Sequence, residues 1–187
     1  FLNMSSTQTT IQLIQQPDNS LMGETHVAFL KNLEGTSWIT IEGKDRTRRR
    51  VVVTLLHGNE PSGLHAVHRL LKEGVQPETD LGILVAAADA ALYEPILSHR
   101  YIPGEQDLNR CFRSPYTTNQ GELAAKILDI IHDFNPEGLI DTHNTSSHSE
   151  AFSIAAHKTI ENAGLASLFT DSLIILDQNL GTLLEKL

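Results

Sequence analysis

Two histidines and a glutamate stand where a metal ion would need them. His57 and Glu60 bound the turn His57-Gly-Asn-Glu60, which follows directly on the apolar run Val51-Val-Val-Thr-Leu-Leu56. A strand that ends in an imidazole, with a carboxylate three residues on, offers two ligands from one turn. His143 closes a second apolar segment, Leu139-Ile-Asp-Thr-His143. Two His and one Glu, with a fourth position left to water, form the ligand set of a catalytic rather than a structural zinc site. One Zn2+ per chain is expected, able to lower the pKa of water to roughly 7 and to polarise a substrate carbonyl.

Other residues gather around this set. Asp141 lies two positions before His143, so on an extended strand both point to one face. It is expected to orient the imidazole; the alternative is a bridge to a second metal, as in a two-metal aminopeptidase. Asp107-Leu-Asn-Arg110 sits in a stretch without helical or strand periodicity. Its arginine fork matches a carboxylate and Asn109 adds a neutral donor, although an ordinary surface salt bridge explains the spacing equally well. His65 and His68 read as solvated positions on a helix. His26, His99, His132 and His157 lack a carboxylate at ligand spacing, and His148 is placed to line the same mouth as His143. No Gly-x-Ser-x-Gly elbow and no phosphate-binding glycine signature occurs.

The elements that must carry these residues alternate between two periods. Val51–Leu56 is a short apolar run with the pattern of a strand covered on both faces, Gly82–Ala88 reads as a second buried strand, and Gly138–Asp141 as a third strand. Between them, Leu64, Val67, Leu70 and Leu71 recur at helical spacing up to Gly74. Leu123, Ile127, Ile130, Ile131 and Phe134 do the same behind an expected Asn119/Glu122 cap and before Asn135-Pro136. His26–Leu30 and Ser37–Ile41 suggest a hairpin or meander; Ala151–Ala155 and Leu173–Leu176 suggest strands, with a helix over Thr159–Phe169 between them. The sum is a three-layer α/β/α fold with a mixed, largely parallel sheet, and both metal-binding segments fall at strand ends, where such sheets gather ligands. Residues 1–20, rich in Ser, Thr, Gln and Asn, are expected to be a flexible arm, and 21–187 one domain.

Composition narrows the function classes. A formal net charge of −9 disfavours nucleic acid, whose phosphates need a basic surface. Arg46–Arg50 is the one basic cluster, read as a solvated strand start or turn. No apolar stretch reaches the ~20 residues that cross a bilayer, and no secretory leader is expected. Cys111 is the single cysteine, a buried structural thiol in this reading, and points to a reducing, cytoplasmic setting.

Taken together, His57-Gly-Asn-Glu60, Arg100-Tyr-Ile102, Asp107-Leu-Asn-Arg110 and Asp141-Thr-His143-Asn-Thr-Ser146 resemble, in order, the motifs of the aspartoacylase and succinylglutamate desuccinylase family of zinc carboxypeptidase-like hydrolases. The resemblance covers most of the chain from residue 51 onward. It implies that His57, Glu60 and His143 hold one zinc, with Asp107, Asp141 and Asn144 supporting them. It further implies that Asn109 and Arg110 grip a substrate carboxylate and that Arg100 steadies the oxyanion. The implied reaction is hydrolysis of the amide of an N-acyl amino acid, and the implied partner is a small carboxylate-bearing substrate; a homo-oligomer is compatible with the sequence but not derivable from it.

Two departures accompany the resemblance. The stretch Pro103–Gln106 is longer than its counterpart in typical members. The family's general base, a glutamate in a later Val-Glu-Cys-Gly-like segment, has no equivalent; Glu150, Asp177 and Glu185 are the local carboxylates, none in that setting. An incomplete catalytic domain, without the family's C-terminal part, is therefore expected. Alternatives are a metallocarboxypeptidase acting on peptide C-termini and a non-catalytic relative that binds zinc or ligand.

Overall fold

The computed structural model describes residues 9–176 and 179–186, so Asp177 lies outside them. Strands β1 (Gln12–Gln15), β2 (Ser37–Ile41), β3 (Asp45–Thr54), β4 (Thr79–Val85) and β5 (Gly138–Asp141) form one sheet in the order β1-β2-β4-β3-β5. Only β2 and β4 run antiparallel; the other neighbours are parallel. Helices α1 (Asn19–Met22), α2 (His26–Asn32), α3 (Ser62–Glu73) and α4 (Ala88–Leu92) precede α5 (Asn119–Phe134) and α6 (Ile160–Ala166).

Period-two alternation in the strands divides the core between two faces. Ile83 and Val85 pack with Phe29, Leu30, Leu64, Val67 and Leu71 from α2 and α3. Leu84, Val51 and Val53 pack on the other side with Leu123, Ala124, Ile127 and Ile131 of α5. Each such side chain contributes roughly 1.5–3 kcal/mol when fully buried. The three-layer α/β/α arrangement follows, as expected.

Helix ends obey local chemistry. α3 stops at Gly74, which takes the left-handed φ of 63° that a C-terminal cap requires. α5 begins one residue earlier than the spacing suggests: Thr118, not Asn119, caps it by accepting the Gly121 N–H at 3.1 Å. It ends at Asn135 (φ 49°), ahead of the proline.

Four expectations need correction. His26–Leu30 is helix α2 rather than a strand; a short apolar run is ambiguous, and Thr25 decides it by capping the Ala28 N–H at 3.1 Å. The arm over residues 1–20 is not free throughout, because Gln12–Gln15 forms β1, parallel to β2. Its polar composition suits an edge strand with one side solvated. His68 is buried, not solvated, and its Nε2 lies 2.9 Å from the Met22 carbonyl. The run after Val85 turns into α4 instead of extending the strand.

A smaller, separate two-stranded parallel sheet pairs β6 (Ser153–Ala155) with β7 (Leu173–Ile175). Around it Ile160, Leu168 and Phe169 are exposed.

Candidate metal centre

β3 and β5 are neighbours, with Val53 opposite Asp141 and the Thr142 N–H donated to the Val53 carbonyl at 3.0 Å. Their carboxyl ends therefore open side by side. Beyond β3 the chain turns through Leu55, a buried residue held at φ 56°, a conformation rarely tolerated outside glycine and typical of functional turns. Gly58 then lies against α4: a Cβ there would come within 2.5 Å of the Ala91 nitrogen and 2.7 Å of the His99 oxygen. Its N–H is donated to the Arg100 carbonyl at 3.0 Å. Glycine between His57 and Glu60 is thus demanded by backbone contact, which fixes where both side chains emerge.

The three candidate ligands converge. One donor atom from each of His57, Glu60 and His143 lies within 4.8 Å of the others, the one such group among the described residues. His57 Nδ1 is 2.9 Å from Glu60 Oε1, and His143 Nδ1 is 2.7 Å from Glu60 Oε2. The opposite nitrogen of each ring also meets a carboxylate: His57 Nε2 lies 3.1 Å from Asp107 Oδ1, and His143 Nε2 lies 2.8 Å from Asp141 Oδ2. The Asn144 N–H is donated to Glu60 Oε2 at 3.1 Å.

Electrostatics follow from this crowding. Burial works against charge on His143, but Asp141 and Glu60 outweigh it and raise its pKa to about 10. His57 is also raised, burial being overcome by Asp107 and Glu60. Burial would raise Glu60 and Asp107; for Glu60 the two imidazoles prevail, and for Asp107 His57 and Arg100 do, so both carboxyls end below the usual range. Burial dominates at Asp141 and pushes it up, against its bond to His143. Its Oδ1 is buried without a partner.

These residues fit a zinc ion. A neutral imidazole has one N–H, yet each ring here faces carboxylate oxygen on both sides. Without a second proton, one nitrogen of each ring sets its lone pair against that of an oxygen. With both rings neutral, three carboxylates against Arg100 leave the cluster short of positive charge, a deficit that protons on the imidazoles or a divalent cation would fill. His57, Glu60 and His143 would hold a divalent cation that meets both conditions, with Asp107 and Asp141 each accepting the remaining ring N–H, the usual support of a metal-bound histidine.

The remaining expected residues are placed as follows. Arg100 lies at the rim, its Nε donating to Asp107 Oδ2 at 3.0 Å and its Nη1 3.5 Å from Glu60 Oε1. Asp107 so joins Arg100 to His57. Asn109 is buried, and its Oδ1 accepts the Leu183 N–H at 3.0 Å. Arg110 is exposed; its Nη1 donates to the Asn109 carbonyl at 2.7 Å, and it forms no salt bridge among the described residues. His148 and Glu150 are exposed. Cys111 is half-buried, its thiol pushed up first by burial and then by Asp107.

Ser62 and Leu183 escaped the sequence reading. Ser62 opens α3, and both its N–H (3.2 Å) and hydroxyl (3.0 Å) are donated to Asn144 Oδ1, so the loop after β5 caps the helix. Pro61, the N-cap, has no side-chain acceptor of its own, so Asn144 supplies the cap from a distance. Leu183 and Glu185 form part of a 3-10 turn, Leu183–Lys186, beside Asn109. Thr182 with Glu185 three residues on is a capping-box spacing that marks it.

A family model described as the succinylglutamate desuccinylase/aspartoacylase catalytic domain matches residues 47–170, about two thirds of the chain. Among solved structures, the succinylglutamate desuccinylase from Chromobacterium violaceum superimposes with a TM-score of 0.57 at 20% identity, over 76% of this chain and 50% of that one. Its counterpart from Vibrio parahaemolyticus gives a TM-score of 0.46 at 17% identity, over 60% and 41%. The first likeness supports the fold. The chain spans about half the length of the desuccinylase structures it matches. No match is found among curated proteins.

Proposed function

The chain belongs to the succinylglutamate desuccinylase/aspartoacylase family, hydrolases of acyl amides, and from that premise we propose that it is a zinc-dependent deacylase of an N-acyl amino acid. The observation that carries the metal assignment is the double engagement of both imidazoles, Nδ1 toward Glu60 and Nε2 toward an aspartate. A zinc ion held by His57, Glu60 and His143 supplies Lewis acidity toward a carbonyl.

The chain's own residues do the rest. Asp107 fixes Arg100 through Nε and Glu60 lies 3.5 Å from its Nη1, so Nη2 is the nitrogen assigned to negative charge developing on the carbonyl oxygen. Arg110, exposed and without an ion-pair partner among the described residues, is assigned to the substrate carboxylate, with Asn109 beside it. Glu60, Asp107 and Asp141 are each committed to an imidazole, so none is assigned as general base. That commitment favours one second reading, a relative that binds zinc and ligand without turnover. The lone thiol supports a cytoplasmic setting. Among the described residues no helix is long and apolar enough to cross a membrane.

Elemental analysis together with hydrolysis assays tests these readings. One zinc per chain and faster hydrolysis of N-succinyl-glutamate than of a short peptide are expected. Preference for the peptide selects a carboxypeptidase, two zinc ions a bridged pair through Asp141, and binding without turnover the non-catalytic relative. Full zinc occupancy in His57→Ala would falsify the metal assignment.

A further inference from the structure

We propose that Gly181–Lys186 is a strap that positions the Asp107–Phe112 loop for carboxylate recognition, with Leu183 and Glu185 as positioning residues; this rests on the assignment of Asn109 and Arg110 made above. The loop's own bonds are local: the Arg110 N–H is donated to the Asp107 carbonyl and the Cys111 N–H to the Leu108 carbonyl, each at 3.0 Å, and the Cys111 thiol to the Asp107 carbonyl at 3.3 Å. Asp107 Oδ1 caps its 3-10 turn by accepting the Asn109 N–H at 2.9 Å, and Arg110 otherwise turns back on its neighbour's carbonyl.

Asp107 is anchored at one end by His57 and Arg100, and the strap holds Asn109 and Phe112 beyond it. Leu183 is fully buried in the layer that holds Leu108 and Phe112, which ties the strap to the loop by apolar contact. Its N–H is donated to Asn109 Oδ1, and a buried amide whose oxygen is fixed has its nitrogen fixed as well, on the opposite arm. On the other side, the Phe112 N–H is donated to the Gly181 carbonyl at 2.9 Å. Gly181 sits at φ 72°, and a Cβ there would fall 2.9 Å from the Arg110 carbonyl oxygen. Glu185 closes the strap on itself, its two oxygens accepting the N–H groups of Leu180 (2.7 Å) and Gly181 (2.9 Å). Strap and loop therefore form one unit whose outer surface carries Arg110.

The test uses the full chain with N-succinyl-L-glutamate as probe, read by calorimetry, and amide hydrogen exchange over Asn109–Phe112. Glu185→Ala removes the turn's closure while leaving Leu183 in place. It is expected to weaken probe binding about threefold to thirtyfold, the scale of a lost cap, and to speed exchange at those amides, with zinc affinity unchanged. Glu185→Gln, which keeps an acceptor oxygen, is expected to recover part of the loss. Leu183→Ala is expected to act in the same direction and more strongly. Unchanged exchange over Asn109–Phe112 in Glu185→Ala overturns the strap. So does unchanged probe affinity when Arg110→Ala has abolished binding. Equal losses of zinc and probe affinity would mark a general structural role and also count against it. Probe binding that survives Arg110→Ala sinks the carboxylate assignment instead, and the exchange measurement still decides the strap.

Discussion

The tips of β3 and β5 and the Asp107–Arg110 loop solve the placement of functional side chains differently. At the tips, adjacent parallel strands fix the backbone, and every nitrogen of both imidazoles has a carboxylate partner. In the loop, a single 3-10 turn carries Asn109 and Arg110, and support comes from residues far along the chain. The proposed metal ligands are held by the main sheet, while Asn109, proposed for recognition, takes its side-chain bond from a segment far along the chain. Asp107 belongs to both regions, touching His57, Arg100 and the Asn109 N–H.

The contrast breaks most readily at the ligands. His143→Ala is expected to lower zinc affinity more than about 100-fold, beyond what loss of a supporting group costs, as read by competition with a chromogenic chelator. Asp141→Asn comes next: it keeps the volume, weakens the acceptor for Nε2–H, and is expected to reduce zinc affinity about 10- to 100-fold. Asp107→Asn should do the same to zinc and also weaken carboxylate binding, since it serves both regions. If Asp107→Asn affects zinc alone, the two regions are independent.

Acidity offers a finer cut. His143, raised from 6.5 to about 10, stabilises the metal-free fold fully below pH 6.5, and that contribution fades as pH rises through about 10. Glu60, lowered from 4.5, stabilises it above pH 4.5 and loses this as pH falls through its depressed value. The metal-free melting temperature is therefore expected to be highest between pH 4.5 and 6.5. Zinc must displace protons from the imidazoles, so its affinity should keep rising above pH 7, with about one to two protons released per ion, measured by calorimetry in buffers of different ionisation enthalpy. Affinity that levels off near pH 6.5 would contradict the coupling. The smallest change is expected far from both regions: Glu137→Ala breaks exposed pairs with Arg48 and Arg50 and should leave the melting temperature unchanged.

Much of the candidate site's geometry was legible because it hangs on two strands, β3 buried toward its end and β5 half-buried at the sheet edge. The runs Val51–Leu56 and Gly138–Asp141 announce themselves by apolar content, and a histidine just beyond each has one place to go. Adjacency of β3 and β5 was not written in either run; it comes from pairing across the sheet. His26–Leu30 misled because five residues are too few to separate the two periods, and the deciding hydroxyl, Thr25, lies just outside them. The half-polar Gln12–Gln15 reads as a tail until a neighbouring strand supplies hydrogen bonds. Contacts such as Leu183 with Asn109 depend on where the chain returns in space, and a local pattern carries no such information.

Asn144 has a consequence for the order in which the protein takes shape. One face of this residue finishes a helix and the other, through its backbone, steadies a ligand carboxylate. Neither task can be completed until the last strand of the main sheet has docked beside β3, so a half-folded chain has no nascent socket to offer. A cation at the proposed site would therefore reward the finished molecule, by its affinity there less whatever the unfolded histidines retain.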